Sequence, residues 1–253
     1  MNTFSLKNQQ VSKEQVSQEK IAPHDLALLS EKFKNDRFVE IPSFLEKEFA
    51  EKCYNFYHYD IPDNWFRLSS WPNPNESSDP YYQLLNDPSI KDTIYRVERV
   101  FNQGDFCYLF HRTVDDHKSN CSCFECEIRS FFKSSEMFNF LCNLTGKQIS
   151  QPSGHFSSWY KKGDFLSSHH DEGNGDIGVI LDFTKGWNPF FGGNLYLLEE
   201  NWFDVKKVIV PKFNNLKVFD IPKEKNGVPH FVSTVTANDL PLRKRIAFGG
   251  WYK

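Results

Sequence analysis

The sequence predicts an α+β domain, mainly β, in which N-terminal helices brace one face of a β-sandwich or barrel. Two observations support this class. Apolar residues recur at helical spacing in the N-terminal half, whereas short apolar runs separated by turn residues follow from about residue 150. The chain has 253 residues, of which 16% are aromatic, so it can bury one large core.

The chain divides into a tail and one domain. Residues 1–20 are mostly polar and contain a single aromatic residue, Phe4, so we expect a flexible N-terminal tail. Residues 21–253 contain no repeat and no linker. We predict a single domain with a helical support region over about 21–150 and a β core over about 151–253.

The support region contains three helical signals. Apolar residues at helical spacing predict a helix over about 26–35, and a short strand follows at 38–41. Ser43 and Glu46 have the spacing of a capping box, which predicts that a second helix begins there. A third helical pattern runs over 135–144 and ends at a glycine. The buried stripe of the second helix is expected to contain Leu45, Phe49, Cys53 and Phe56.

The β core is predicted from short apolar runs. Turn residues such as glycine and asparagine separate these runs, as in all-β sandwiches and barrels. The predicted strands are 156–160, 177–183, 194–198, 205–210, 216–221, 230–235 and 245–251.

Composition excludes several function classes. The net charge is −3, so the chain lacks the basic surface of a nucleic-acid-binding protein. No apolar stretch is long enough to span a membrane, and the N-terminus has no apolar signal region. We therefore expect a cytoplasmic protein whose six cysteines are reduced, without membrane or nucleic-acid partners.

A candidate metal site is carried by His169, Asp171 and His230. Residues two apart on a strand share a face, so His169 and Asp171 can act together while His170 points away. A distant histidine, His230, would complete a set of two imidazoles and one carboxylate. This donor set is the facial triad of non-haem Fe(II) oxygenases. We assign no role to His111.

The sequence around these residues resembles the prolyl-hydroxylase-like branch of the Fe(II)/2-oxoglutarate-dependent dioxygenases. Five motifs occur in the order of that family over residues 156–252, roughly 40% of the chain. The region before residue 150 resembles the family only loosely. The motifs are Trp159 to Asp171 (WYKKGDFLSSHHD), Gly192 to Leu197 (GGNLYL), Asn215 to Phe219 (NLKVF), Val228 to Val232 (VPHFV) and Arg245 to Trp251 (RIAFGGW).

The resemblance implies a double-stranded β-helix of the jelly-roll or cupin-like type. It also implies that His169, Asp171 and His230 hold Fe(II), and that 2-oxoglutarate and O2 are cosubstrates. A requirement for ascorbate is suggested as well. Arg245 would bind the distal carboxylate of 2-oxoglutarate, and Tyr160 would be a second contact. The implied reaction is hydroxylation of an amino-acid side chain, free or within a peptide, with release of succinate and CO2.

The chain departs from the family pattern at two places. Arg245 follows His230 by more residues than is usual. Arg243 would lie on the same face of the strand, so it is the alternative residue for binding the carboxylate of 2-oxoglutarate. We favour Arg245 because its spacing to Trp251 fits the closing strand. Residues 180–183 occupy the strand where relatives often carry a tyrosine that contacts the cosubstrate, so that contact is left open.

Two alternatives stay open. His117, Cys121, Cys123 and Cys126 could bind a structural zinc ion, although the spacing matches no standard knuckle and we favour reduced thiols leading into a helix at 127–133. The second function class is a non-catalytic metal- or ligand-binding β-sandwich of the same fold. The complete triad together with Arg245 argues against this class, because a decayed site would be expected to lose one of them.

Overall fold

A computed structural model describes residues 20–114, 117–118, 120–221, 227–240 and 243–253. The predicted tail lies outside the described residues except for Lys20. The backbone N–H of Lys20 donates to Glu136 Oε1 at 2.8 Å, so the chain is already attached to the domain at this residue.

Five α-helices lie in the described part of the N-terminal region. They are α1 (Leu26–Asp36), α2 (Lys47–Asn55), α3 (Ile90–Gln103), α4 (Phe124–Phe132) and α5 (Ser135–Thr145). None of the helices in the described ranges is long and apolar enough to cross a membrane.

The strands form one antiparallel sheet. They are β1 (Phe38–Pro42), β2 (Phe66–Trp71), β3 (Tyr81–Gln83), β4 (Tyr108–Thr113), β5 (Pro152–Tyr160), β6 (Phe165–His169), β7 (Ile177–Asp182), β8 (Leu195–Leu198), β9 (Val205–Ile209), β10 (Asn215–Asp220), β11 (His230–Val232) and β12 (Arg245–Tyr252). The order along the sheet is β1-β10-β7-β12-β5-β4-β6-β11-β8-β9, and β2 joins the side of β4 and carries β3.

The sheet curls upon itself, which confirms the predicted jelly-roll class. Residues from β5, β7 and β12 line the same cavity as residues from β6, β8 and β11, so the two halves of the sheet face each other. Strand β4 is the link between the halves. Its first residues pair with β6, whereas His111 and Arg112 pair with β5.

The helices cover the outer face of one half. The main core lies between this face and α1, α2, α4 and α5. The ring centroids of Phe132 on α4 and Phe248 on β12 are 4.4 Å apart. The hydroxyl of Tyr252 donates to the carbonyl of Phe132 at 2.8 Å. Aromatic packing and this buried hydrogen bond together attach the helix layer to the closing strand.

Most predicted elements are confirmed, with shifted ends. All seven strands predicted for the β core are present, and α5 ends at Gly146, whose φ of 71° is the left-handed value typical of a C-cap. The short strand predicted at 38–41 is present as β1, whereas β2, β3, β4 and α3 in the N-terminal region and β6 in the β core were not predicted. Helix α4 begins at Phe124, three residues before its predicted start.

The predicted capping box is wrong. Helix α2 begins at Lys47, its N-cap Glu46 makes no side-chain capping bond, and Ser43 has a φ of 54°. The backbone of Leu45 is instead held by the side chain of Asn214, whose amide oxygen accepts from Leu45 N and whose amide nitrogen donates to Leu45 O, both at 2.8 Å. This distant partner keeps the segment out of the helix. The predicted apolar stripe is nevertheless buried.

A buried polar network joins α4 to the sheet. The carboxylate of Glu125 accepts hydrogen bonds from the hydroxyls of Tyr57 at 3.0 Å, Thr113 at 3.1 Å and Ser157 at 2.9 Å. Its Oε1 also lies 3.2 Å from an Arg129 guanidinium nitrogen. Because Glu125 and Arg129 are both buried, each charge depends on the other for compensation.

We therefore predict that Glu125→Ala lowers the free energy of unfolding by roughly 3–5 kcal/mol, because it leaves the Arg129 charge buried without this partner. Urea denaturation would measure the loss. The matched control is Glu127→Ala on the same helix, where the side chain is 49% exposed and pairs with Lys20. The control should cost about 1 kcal/mol or less. Equal losses in the two variants would contradict this account of the network.

Candidate active site

The three predicted metal ligands lie close together in the lining of the cavity. His169 is the last residue of β6, Asp171 follows two residues later, and His230 begins β11 directly opposite His169 in the ladder. The Nε2 of His169 lies 3.6 Å from Asp171 Oδ1, and the Nε2 of His230 lies 3.8 Å from Asp171 Oδ2. One donor atom from each residue lies within 4.8 Å of the other two.

Hydrogen bonds orient both imidazoles towards this point. The Nδ1 of His169 is 2.9 Å from the carbonyl of Ser167, and the Nδ1 of His230 is 2.8 Å from the carbonyl of Val228. Since a carbonyl can only accept, each Nδ1 carries the proton. Each Nε2 therefore presents its lone pair towards Asp171, which is the arrangement that metal-binding histidines use.

The charges of the triad also suit a cation. Burial opposes ionisation of Asp171, but the proximity of His169 and His230 lowers the pKa of Asp171 to about 2. Burial, with a contribution from His169, lowers the pKa of His230 to about 4. The site thus combines a carboxylate with neutral imidazole at neutral pH. This donor set fits Fe(II), which accepts two imidazoles and one carboxylate on one face.

Arg245 and Tyr160 line the same cavity as the triad. They are cross-strand partners on β12 and β5, and the Arg245 guanidinium carbon lies 4.2 Å from the Tyr160 ring centroid. Both side chains are buried. Arg245 Nε donates to the carbonyl of Gly193 at 3.1 Å, and this hydrogen bond restrains the guanidinium. Within the described ranges, no carboxylate lies within salt-bridge distance of Arg245.

Arg243 occupies a different position. Its guanidinium carbon lies 4.4 Å from the ring centroid of Phe191, and its side chain donates to the carbonyl of Asn238 at 3.4 Å. It is not among the described residues that line the cavity. His170 likewise faces away from the triad, since its ring lies 5.5 Å from that of Trp202.

The rest of the cavity wall is mainly apolar. Phe110 on β4 stacks on Tyr160, with ring centroids 5.0 Å apart and planes 7° from parallel. Aromatic and aliphatic side chains therefore surround the polar groups and limit the access of water. The apolar lining residues include Phe156, Leu166, Val179, Ile180, Leu195 and Trp251.

Two contributors from the N-terminal region were not predicted from the sequence. One is Phe110, which lies outside the five motifs. The other is His111, to which no role was assigned. Its Nδ1 lies 2.7 Å from Asp164 Oδ2, and the same oxygen accepts from the backbone N–H of Lys161 at 2.8 Å. His111 thus holds the Gly163–Asp164 turn between β5 and β6, which carry Tyr160 and His169.

The geometry predicts that Asp171→Ala weakens binding of Fe(II), or of Mn(II) as a stable substitute, at least about 100-fold. Loss of a direct ligand should cost no less than the 10–100-fold typical of outer-shell changes. Anaerobic titration calorimetry would measure the affinity. His170→Ala is the matched control, because it removes a neighbouring histidine that faces away, and its affinity should stay unchanged. Equal weakening by both substitutions would contradict the assignment.

Comparisons with known proteins agree with this geometry. The family model of the 2OG-Fe(II) oxygenase superfamily matches residues 155–253. No curated protein matches the sequence significantly. Among solved structures, an oxidoreductase of the 2OG-Fe(II) oxygenase family from Burkholderia pseudomallei is similar, with a TM-score of 0.55, 13% identity, and coverage of 92% of this chain and 93% of that chain.

Two further structures share the fold. A Pseudomonas putida prolyl-4-hydroxylase has a TM-score of 0.50 and 13% identity, and the match covers 90% of this chain and 98% of that chain. The non-heme alpha ketoglutarate dependent epimerase SnoN from nogalamycin biosynthesis has a TM-score of 0.51 and 8% identity, with coverage of 88% and 80%. The part of the chain that matches the 2OG-Fe(II) oxygenase superfamily, residues 155–253, contains the whole His-Asp-His site.

Proposed function

We propose that this protein hydroxylates an unactivated C–H bond of an amino-acid side chain, free or within a peptide, as prolyl hydroxylases do. One observation carries the proposal. The triad shares a cavity with a buried arginine that has no carboxylate within salt-bridge distance among the described residues. A buried, uncompensated guanidinium calls for an anionic ligand, and it pairs with a carboxylate in a two-pronged geometry.

The roles of the chain follow from this arrangement. His169, Asp171 and His230 would hold Fe(II), and Arg245 would bind the distal carboxylate of 2-oxoglutarate with Tyr160 beside it. When bound, iron and 2-oxoglutarate supply the oxidising chemistry, in which O2 is consumed, 2-oxoglutarate becomes succinate and CO2, and one oxygen atom enters the substrate. The protein positions the target carbon and excludes water from the cavity.

The surface beside the triad supports an apolar target group. Phe106 is 42% exposed, and its ring centroid lies 5.6 Å from that of His169. It also contacts Tyr108, whose ring centroid is 5.9 Å away. A methylene-rich side chain such as that of proline could pack on these rings next to the metal ligands. The fold alone does not select hydroxylation, since the epimerase SnoN shares it.

A cytoplasmic location is part of the proposal. All six cysteines are free, as expected in a reducing compartment. Stimulation by a reductant such as ascorbate is also part of the proposal.

The activity can be tested directly with anaerobically purified protein, Fe(II) and 2-oxoglutarate, to which O2 is added. We expect succinate in stoichiometric amounts with a hydroxylated product when proline, N-acetylprolinamide and proline-containing peptides are screened, and product mass shifted by two units under ¹⁸O2. His169→Ala should abolish both products. Absence of succinate with every substrate, and without substrate, would overturn the proposal and favour a non-catalytic binding protein.

The carboxylate anchor gives a second prediction. Arg245→Gln should raise KM for 2-oxoglutarate roughly 30-fold or more, because loss of a buried charge pair costs about 2 kcal/mol or more. Steady-state succinate formation would measure KM, and thermal unfolding would verify that the variant is folded. Arg243→Gln is the matched control and should leave KM unchanged. If Arg243→Gln alone raises KM, Arg243 is the anchor.

A further inference from the structure

We infer that His117, Cys121, Cys123 and Cys126 form a structural zinc site, separate from the His-Asp-His triad. These four residues, termed the Cys3His cluster, lie between β4 and α4. Their donor atoms, three sulfurs and one imidazole nitrogen, all lie within 4.8 Å of one another. This inference does not depend on the proposed function.

The distances within the cluster point to coordination. The Nδ1 of His117 lies 3.1 Å from the sulfur of Cys126, 3.2 Å from that of Cys123 and 3.7 Å from that of Cys121. One ring nitrogen carries at most one proton, so a hydrogen bond cannot account for three converging sulfurs. A tetrahedral zinc ion accounts for them, because its bond lengths place the nitrogen and each sulfur about 3.5 Å apart.

The donor set selects the metal. Three thiolates and one imidazole are typical of structural zinc sites, in which all four positions are filled by protein. Soft sulfur donors do not favour Mg²⁺ or Ca²⁺, and Fe(II) in an oxygenase is held by nitrogen and oxygen donors instead. All three cysteines are free thiols, and their side chains are partly buried.

The position of the cluster also favours an anionic metal complex. Cys123 is the N-cap of α4 and Cys126 lies in its first turn. Three thiolates around Zn²⁺ with a neutral imidazole carry a net charge of −1, which the positive end of a helix dipole stabilises. The His117 ring is further fixed by Trp65, whose ring centroid lies 4.7 Å away in an edge-on contact.

A zinc ion bound by the Cys3His cluster would stabilise the connection between β4 and α4. Cys126 is adjacent to Glu125, whose carboxylate binds Thr113 at the end of β4 and Ser157 on β5. Zinc would therefore fix the start of α4 and hold Glu125 against the sheet. A metal in this position is a structural support, and it lies outside the cavity that holds the triad.

Metal analysis of the full chain tests this inference. Because the triad can also hold zinc, the protein is prepared with His169→Ala and Asp171→Ala and analysed by plasma mass spectrometry. We expect about one zinc ion per chain in this background. Adding Cys121→Ser and Cys126→Ser should remove it, whereas Cys142→Ser, a partly buried cysteine on α5 outside the cluster, should retain it.

Two further measurements keep the inference testable if the cysteine variants fail to fold. Titration of the triad-deficient protein with a mercurial reagent should release one zinc ion, detected with a metallochromic dye, and should lower Tm by more than about 5 °C. X-ray absorption should show three sulfur ligands at about 2.3 Å and one nitrogen ligand. Less than about 0.1 zinc per chain, a disulfide within the cluster, or iron with inorganic sulfide in place of zinc would each overturn the inference.

Discussion

The antiparallel pairing of β11 with β6 sets His230 opposite His169, and the geometry of the whole site depends on that register. A slip of one residue would turn the His230 side chain to the other face of the sheet and leave Asp171 with one imidazole. The pairing is short, since β11 has three residues, but β8 supports it from the other side. A hydrogen bond from each histidine ring to a backbone carbonyl then fixes the ring orientation. Position and orientation of the ligands therefore come from backbone structure.

Strand β4 connects this pairing to the rest of the molecule. It pairs with β6 at one end and with β5 at the other, so it joins the two halves that enclose the cavity. Its last residue, Thr113, is bonded to Glu125 on α4. The helix layer thus holds the strand at which the sheet bends. The Cys3His cluster occupies the connection that follows, which gives a physical reason for a stabilising metal at this place.

The β core was predicted well because its signals are local. Its short runs between glycine and asparagine turns correspond closely to the observed strands, and the His169 to Asp171 spacing lies within one motif. Strand β4 was missed because it lacks alternation. Leu109 and Phe110 are consecutive and both buried, so helix and sheet cannot be distinguished from the pattern. The capping box failed because Asn214, far away in sequence, bonds Leu45.

By itself, the sequence determined which donor residues exist, their local spacing, and the change from helical to strand periodicity. These properties depend on neighbouring residues, and the resemblance to the oxygenases follows from them. Only the tertiary structure decided which groups converge. Arg243 and Arg245 are two residues apart and would share one face of a strand. Of the two, only Arg245 lines the cavity, because it pairs with Tyr160 on β5. His117 meets three sulfurs, and His111 meets Asp164, through the path of the chain around β4. Such contacts are set by strand register and sheet curvature, which no short stretch of sequence encodes.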